Sequence, residues 1–358
     1  MHTAVQFCAA IDGTTLAWAA QGSGPAVLKV PGWLSDVGLD GSASAWGHWY
    51  RELGRGRRLV TWDPRGSGWS SRTPPDITFE LLVADLECVA AAAGLERFAL
   101  FSSYLGAPLA IAYAARHPQR VSHLVLHGSA AVGALAPAAS AAARAEAGAI
   151  AALIASSWGR DPTVIDQFLT VQLLPDAGPE VWRMLRSHQQ RAAAPEMAAR
   201  LFRACEGADV SAECRRVQCP ALVTHSAGDT RIGTEAARQL AMLLRARFAE
   251  VPSRNHLLLA TEPAWREWCA LLRDFLPVEP AQGSAKAPAA QLSAREGQVL
   301  ELLARGLDNP AIARRLVVSE KTVRNYVSTL LDKLGVATRA EAIVAARAAG
   351  YGLRQTER

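Results

Sequence analysis

Phe98-Ala99-Leu100-Phe101-Ser102-Ser103-Tyr104-Leu105-Gly106-Ala107-Pro108-Leu109-Ala110-Ile111-Ala112-Tyr113-Ala114 is the stretch on which the fold turns. A short apolar run meets small residues and then an Ala-rich run competent for helix, which predicts a strand, a sharp turn and a helix. Ser102, Gly106 and Ala107 are small where a strained backbone must turn without clashes. The residue left at the apex is Tyr104.

Outward from this turn the chain alternates strand and helix signals. A hairpin is predicted over 5–16 around Asp12-Gly13, and a buried strand over 27–30 leads into Pro31-Gly32-Trp33. A strand at 59–62 precedes Asp63-Pro64-Arg65-Gly66-Ser67-Gly68-Trp69-Ser70, and a helix over 83–93 stops at Gly94. A further strand spans 121–126. Residues 131 to about 216 are Ala-rich and helical, with Trp158 and Trp182 scattered among them and no obvious strand. Strands resume at 221–225, followed by Ser226-Ala227-Gly228-Asp229, and at 248–251, followed by Asn255-His256.

Over residues 5–277 these motifs resemble the α/β-hydrolase family. The apex turn is similar to its G-x-S-x-G elbow, residues 63–70 to its D-x-R-G-x-G-x-S loop, and the order of elbow, acid and histidine to its triad order. The resemblance implies an α/β-hydrolase fold with a helical cap at about 131–216, and it makes Tyr104, Asp229 and His256 remnants of a catalytic triad. The His-Gly that offers an oxyanion donor in the family is here Pro31-Gly32.

Tyrosine at the apex carries its hydroxyl a ring further out than serine would. With an ordinary pKa of about 10 it stays protonated near neutrality. The expectation is therefore a catalytically disabled hydrolase, not an enzyme, with Tyr104 hydrogen-bonded to His256 or to a ligand. Trp33, Tyr104, Leu105 and His256 are the expected walls of a concave, mostly apolar pocket, for a small molecule that is apolar or ester/lactone-like. Two other readings stay open: a hydrolase using Tyr104 or a water activated by His256, and a hydrolase-like domain serving only for dimerisation.

The chain has 358 residues, half of them hydrophobic and a fifth charged, enough for a large core and two domains. No stretch reaches ~18 uninterrupted apolar residues, and the start lacks a basic-then-apolar leader, so a cytoplasmic location is expected. Six cysteines form no C-x-x-C pair, and neither a metal site nor a cofactor nor a disulfide framework is suggested. The net charge of +5 is uneven: residues 291–358 hold eleven Lys and Arg against seven Asp and Glu, hence +4 of it. That balance points to a polyanion.

Residues 278–290, rich in Pro, Ala, Gly and Ser, read as a linker between domains at 1–277 and 291–358. Beyond it the helix punctuation is dense. Ser293-Ala294-Arg295-Glu296 and Thr338-Arg339-Ala340-Glu341 are capping boxes, Gly306, Gly335 and Gly350 stand at helix ends, and Asp308-Asn309-Pro310 starts a helix. Four short helices follow, near 293–305, 309–316, 320–334 and 338–349. In the third, Val323, Val327, Leu330, Leu331 and Leu334 recur at core spacing, while Lys321, Arg324, Asn325, Ser328 and Asp332 share the other face.

From Leu292 through Ile312-Ala313-Arg314-Arg315-Leu316 to Ser319-Glu320-Lys321-Thr322-Val323-Arg324-Asn325-Tyr326-Val327, the tail resembles the LuxR-type helix-turn-helix (HTH). The resemblance implies an all-α, four-helix DNA-binding domain. Arg324, Asn325 and Ser328 would meet bases, and Lys321, Thr322, Tyr326, Thr329 and Lys333 would meet phosphates. It also implies a homodimer contact through the fourth helix, with Ile343, Val344 and Arg347 as candidates. Together the two resemblances predict a one-component transcriptional regulator that senses a small molecule and binds a double-stranded operator.

Overall fold

The computed structural model of the chain describes residues 4–38, 46–158, 164–276, 292–334, 336, 339–348 and 351–352. The chain divides into two compact units, residues 1–280 and 281–358. The expected linker at 278–290 lies outside the described residues, as do Gly335, Thr338 and Gly350.

The first unit is built on eight strands: β1 Gln6–Ala9, β2 Thr15–Gln21, β3 Ala26–Val30, β4 Arg58–Trp62, β5 Phe98–Ser103, β6 Val121–His127, β7 Ala221–Ser226 and β8 Arg247–Val251. They form one sheet in the order β1-β2-β4-β3-β5-β6-β7-β8. The hairpin β1–β2 and the pair β2–β4 are antiparallel, and the remaining pairs are parallel.

Successive side chains on a strand point to opposite faces, and the two cores follow from that alternation. Leu28, Val60, Leu100, Leu124 and Leu126 pack into one core together with Leu86 of α2 (Phe79–Ala92) and Ile111 of α3 (Ala107–Arg116). Val27, Leu59, Ala99, Phe101 and Val125 pack into the other, against Trp49 and Leu53 of α1 (Gly47–Leu53) and Trp268 and Leu272 of α10 (Pro263–Phe275). Helix α9 (Thr234–Leu244) joins β7 to β8. The helix expected from 83 begins instead at Phe79, because the Thr78 side chain caps it by accepting from the Leu81 amide at 3.2 Å.

Between β6 and β7 the chain forms α4 Ala141–Ser157, α5 Val164–Leu173, α6 Pro179–Ala192, α7 Pro195–Glu206 and α8 Ser211–Cys214. This matches the helical character expected at 131–216, with one isolated bridge between Val132 and Asp209. The Asp63–Ser70 loop earns its motif structurally. Asp63 is fully buried and its carboxylate accepts from the Ser35 hydroxyl and the Val37 and Trp69 amides. Gly68, at φ +54°, leaves no room for a Cβ, which would lie 2.0 Å from that carboxylate. Arg65, also fully buried, is held bidentately by Asp85, each bond 2.7 Å, and by Asp12.

The second unit contains α11 Ala294–Ala304, α12 Asn309–Leu316, α13 Glu320–Leu334 and α14 Arg339–Ala348. Val299, Leu303, Ile312, Val323, Val327, Leu330, Ala342 and Ala346 form its core. Ser293 and Glu296 make the expected capping box.

At the elbow, a Cβ on Gly106 would lie 2.0 Å from the Pro31 carbonyl oxygen and 2.5 Å from the Ser102 hydroxyl. Because the Pro31 carbonyl is backbone directly after β3 and not the end of a flexible side chain, Gly106→Ala is expected to destabilise the chain by about 1–3 kcal/mol, the usual cost of overpacking. Gly148, exposed on α4 with nothing near its Cβ position, provides the contrast. Gly148→Ala is expected to stabilise by about 0.5–1 kcal/mol. Urea unfolding of both variants checks the pair.

Candidate functional site

β5 ends at Ser103, and the next residue, Tyr104, takes φ +53° before a 3-10 turn at Tyr104–Gly106 leads into α3. Left-handed backbone costs a non-glycine residue roughly 1–2 kcal/mol, so this apex is imposed by its surroundings. The triad positions converge on it. Asp229 follows β7, His256 follows β8, and the His256 Nδ1 donates to Asp229 Oδ2 at 2.7 Å, both side chains fully buried. His127 donates from Nε2 to the His256 carbonyl at 3.0 Å, and burial drives its pKa down to about 3, so it stays neutral.

The expected bond from Tyr104 to His256 is not made. The Tyr104 ring lies edge-on to the imidazole, centroids 4.9 Å apart, and the phenol oxygen accepts instead from Arg231 Nε at 2.7 Å. Arginine has only donors, so its Nε–H is matched to a lone pair of the phenol oxygen. The same guanidinium donates to Glu206 Oε1 at 2.5 Å and lies 5.2 Å from the Tyr104 ring centroid, while Glu206 Oε2 accepts from the Ala134 amide at 2.7 Å. His256 Nε2, the nitrogen that would deprotonate a serine, is buried and has no hydrogen-bond partner among the described residues.

The electrostatics of the apex follow from its burial. Burial pushes Tyr104 up to about 12, against the opposing pull of the Arg231 charge. Burial also raises Asp229, but the His256 charge and hydrogen bond outweigh it and leave the carboxyl below its ordinary value. The arrangement thus sets a bonded His256–Asp229 pair beneath an apex phenol that is itself hydrogen-bonded to Arg231.

Beside the apex lies a cavity of about 100 Å³ whose walls include Trp33, Trp49, Tyr104, Leu173 and Leu257. Trp33 and Tyr104 are thus placed at the pocket, with the Trp33 indole fixed by a bond to the Ala198 carbonyl at 3.1 Å. Leu105 and His256 are not among its lining residues. Leu105 turns into the core, and the imidazole stands against the Tyr104 ring. Arg231, Glu206 and Lys29 were not singled out in the sequence; for Arg231 the one available signal was its place two residues after the triad acid.

In the second unit, Lys321, Arg324, Asn325, Ser328 and Thr329 are exposed on α13, Thr322 and Tyr326 are half-buried, and Val323, Val327 and Leu330 are buried. Of these, Thr329 Oγ1 donates to the Asn325 carbonyl at 3.0 Å and Thr322 Oγ1 shares a 2.8 Å bond with Ser319. Lys333 Nζ contacts both oxygens of Glu296 at 2.7 Å, which ties α13 to the cap of α11. On α14, Val344 is exposed, Ile343 packs on the core, and Arg347 donates to the Ala304 carbonyl at 2.8 Å.

Comparison with known proteins fits both units. The family model of the alpha/beta hydrolase fold matches residues 25–263, and that of the luxR family of bacterial regulatory proteins matches residues 290–346. The chain therefore belongs to the alpha/beta hydrolase fold family and ends in a luxR-family HTH domain. A hydrolase structure from Pseudomonas aeruginosa superposes with TM-score 0.62 at 25% identity, covering 75% of this chain and 97% of that one. The tail is 47% identical over 53 residues to the spore germination protein GerE of Bacillus subtilis, covering 15% of this chain and 72% of that protein. It is 49% identical over 57 residues to the DNA-binding transcriptional activator DevR/DosR of Mycobacterium tuberculosis, 16% of this chain and 26% of that protein. The chain thus spans about a quarter of the length of that activator.

Two outcomes follow from these contacts. Tyr104→Ser places a small hydroxyl at the apex beside the unpartnered His256 nitrogen, so this variant is expected to gain covalent labelling by a fluorophosphonate that the natural chain lacks, and to lose it again with His256→Ala; labelling of the natural chain would contradict the assignment. Glu296 is lowered from 4.5 to about 2, first by its bond to Lys333. A depressed carboxyl stabilises above its unfolded value, and that contribution is lost as pH falls from about 4.5 towards 2. Acid unfolding of the second unit should therefore begin at higher pH in Lys333→Met, as followed by circular dichroism.

Proposed function

We propose that the chain is a transcription regulator in which a hydrolase-fold unit, disabled for catalysis, receives a small molecule and the C-terminal HTH binds double-stranded DNA. The observation that carries the reading is the engagement of the Tyr104 hydroxyl by Arg231, with His256 Nε2 left unpartnered. A nucleophile must sit within hydrogen-bond reach of its base, and here that reach is taken up by a ring edge. The apolar cavity beside it has the mixture expected of a receptor: mostly aromatic and aliphatic walls with a few polar groups. A ligand there would act only through unequal affinity for two arrangements of the protein.

The exposed face of α13 supports the DNA assignment. Arg324 and Asn325 suit guanine and adenine edges in the major groove, and Lys321 supplies a phosphate contact. Lys333 is the weaker phosphate candidate, since Glu296 already neutralises it. A homodimer reading paired half-sites fits the exposed Val344 on α14, whereas Arg347 is used within its own unit.

A second reading keeps some support from the intact His256–Asp229 bond: a water activated by His256 could hydrolyse an ester. Turnover that vanishes in His256→Ala would favour it.

The test of the main reading is fluorescence anisotropy with a duplex selected from a random pool by the full chain. Arg324→Ala is expected to weaken the selected duplex by about 1–3 kcal/mol while leaving random duplex nearly unaffected. An equal loss on every sequence would make Arg324 a phosphate contact.

A further inference from the structure

One wall of the cavity beside Tyr104 comes from α6, and one residue there is out of keeping with an apolar lining. Residues four apart on a helix share a face, so Gln189 stands one turn beyond Leu185, and both line the cavity. Gln189 is only 6% exposed, at a position where leucine would pack without desolvation cost. Its carboxamide makes no hydrogen bond to any described residue. From the sheet side, Ser103 ends β5 beside Gly32, where a Cβ would lie 3.1 Å from the Ser103 hydroxyl. Both residues line the cavity, and this half-buried hydroxyl likewise has no hydrogen-bond partner among the described residues.

The other polar side chains of the lining are committed within the protein. The Trp33 indole donates to the Ala198 carbonyl and the Trp49 indole to the Leu258 carbonyl, each at 3.1 Å. The Tyr104 hydroxyl accepts from Arg231, and Lys29, Trp46, Tyr50 and His188 have partners of their own. What remains for a ligand is one carboxamide and one hydroxyl, both neutral. The carboxamide carries an acceptor and two N–H donors, and the hydroxyl donates once and accepts. A buried polar group left unpaired is costly, so the matching ligand group both donates and accepts. An amide does so: its N–H meets the Gln189 carbonyl oxygen and its carbonyl meets the Ser103 hydroxyl. A ketone, ester or lactone only accepts, and a carboxylate would bring an ionised group to two neutral ones.

A water needs about 10–15 Å³ of such space, so a cavity of about 100 Å³ takes on the order of eight non-hydrogen atoms, the size of one substituted ring. Trp33, Trp49, Phe101 and Tyr104 suit the faces and edges of an aromatic ring.

We propose that this cavity takes a small neutral aromatic amide, its amide group held by Gln189 and Ser103 and its ring among Trp33, Trp49 and Tyr104. The inference rests on the receptor reading above and names the ligand class of the same pocket; it favours an amide over the ester or lactone expected from the sequence.

The test uses the full chain with benzamide, acetophenone and benzoate, which place an amino group, a methyl group and a carboxylate oxygen at the same position of one framework. Binding is read by calorimetry. Benzamide is expected to bind roughly tenfold or more tightly than either of the others, the penalty of leaving a buried partner unpaired. Gln189→Leu should bring benzamide down to the acetophenone affinity, and Ser103→Ala should weaken both, since the hydroxyl meets the carbonyl they share. Equal affinity for benzamide and acetophenone in the natural chain, tighter binding of benzoate, binding of none, a preference that survives Gln189→Leu, or affinities untouched by Ser103→Ala would overturn the inference. The natural-chain comparison decides even if the variants do not fold. The two layers separate cleanly. A ketone that binds as well as the amide and shifts DNA affinity removes the amide inference alone, and an amide that binds through Gln189 without touching DNA affinity removes the receptor reading alone.

Discussion

The bond from Arg231 to the Tyr104 hydroxyl is the interaction on which the hydrolase-fold unit's chemistry depends. It joins three segments distant in sequence: the elbow after β5, the loop after β7, and, through Glu206, the end of α7 in the cap. A phenol that accepts from a guanidinium is turned away from the imidazole beneath it. The left-handed backbone of Tyr104 costs roughly 1–2 kcal/mol, of the same order as the gain of burying an aromatic ring. Packing of the ring is thus of the size needed to hold the elbow in this conformation.

The rest of the unit holds that apex in place. Gly106 lets the start of α3 approach the Pro31 carbonyl, and Gly68 lets the loop after β4 close on the buried Asp63. Arg65 is fully buried among Asp85 and Asp12, and removing one partner of such a group costs about 3–5 kcal/mol because a charge is stranded. These contacts position the loop beside the elbow; they need no substrate to explain them. Fold and activity are separable, so these contacts hold the framework whatever its pocket does.

What the sequence revealed follows from how local each signal is. The four tail helices were legible almost to the residue because Ser293, Asp308 and Pro310 act on their own backbone neighbours. The elbow was legible because its small residues are consecutive. The partner of Tyr104 was not: Arg231 is 127 positions away, and nothing local marks an arginine that reaches from the loop after β7 to the elbow after β5. Leu105 was expected at the pocket because it follows the apex, yet both residues are buried and only Tyr104 lines the cavity, while Leu105 packs in the core. Lys29 was hidden inside an apolar strand, where only the register with Phe101 brings it to the cavity.

The central claim is that the apex phenol does no covalent chemistry. Rapid mixing of the natural chain with an excess of a p-nitrophenyl ester tests it most directly, because an acylated tyrosine would release one equivalent of nitrophenol before steady state. The account predicts no burst at neutral pH. A burst of one equivalent per chain, lost in Tyr104→Phe, would contradict it.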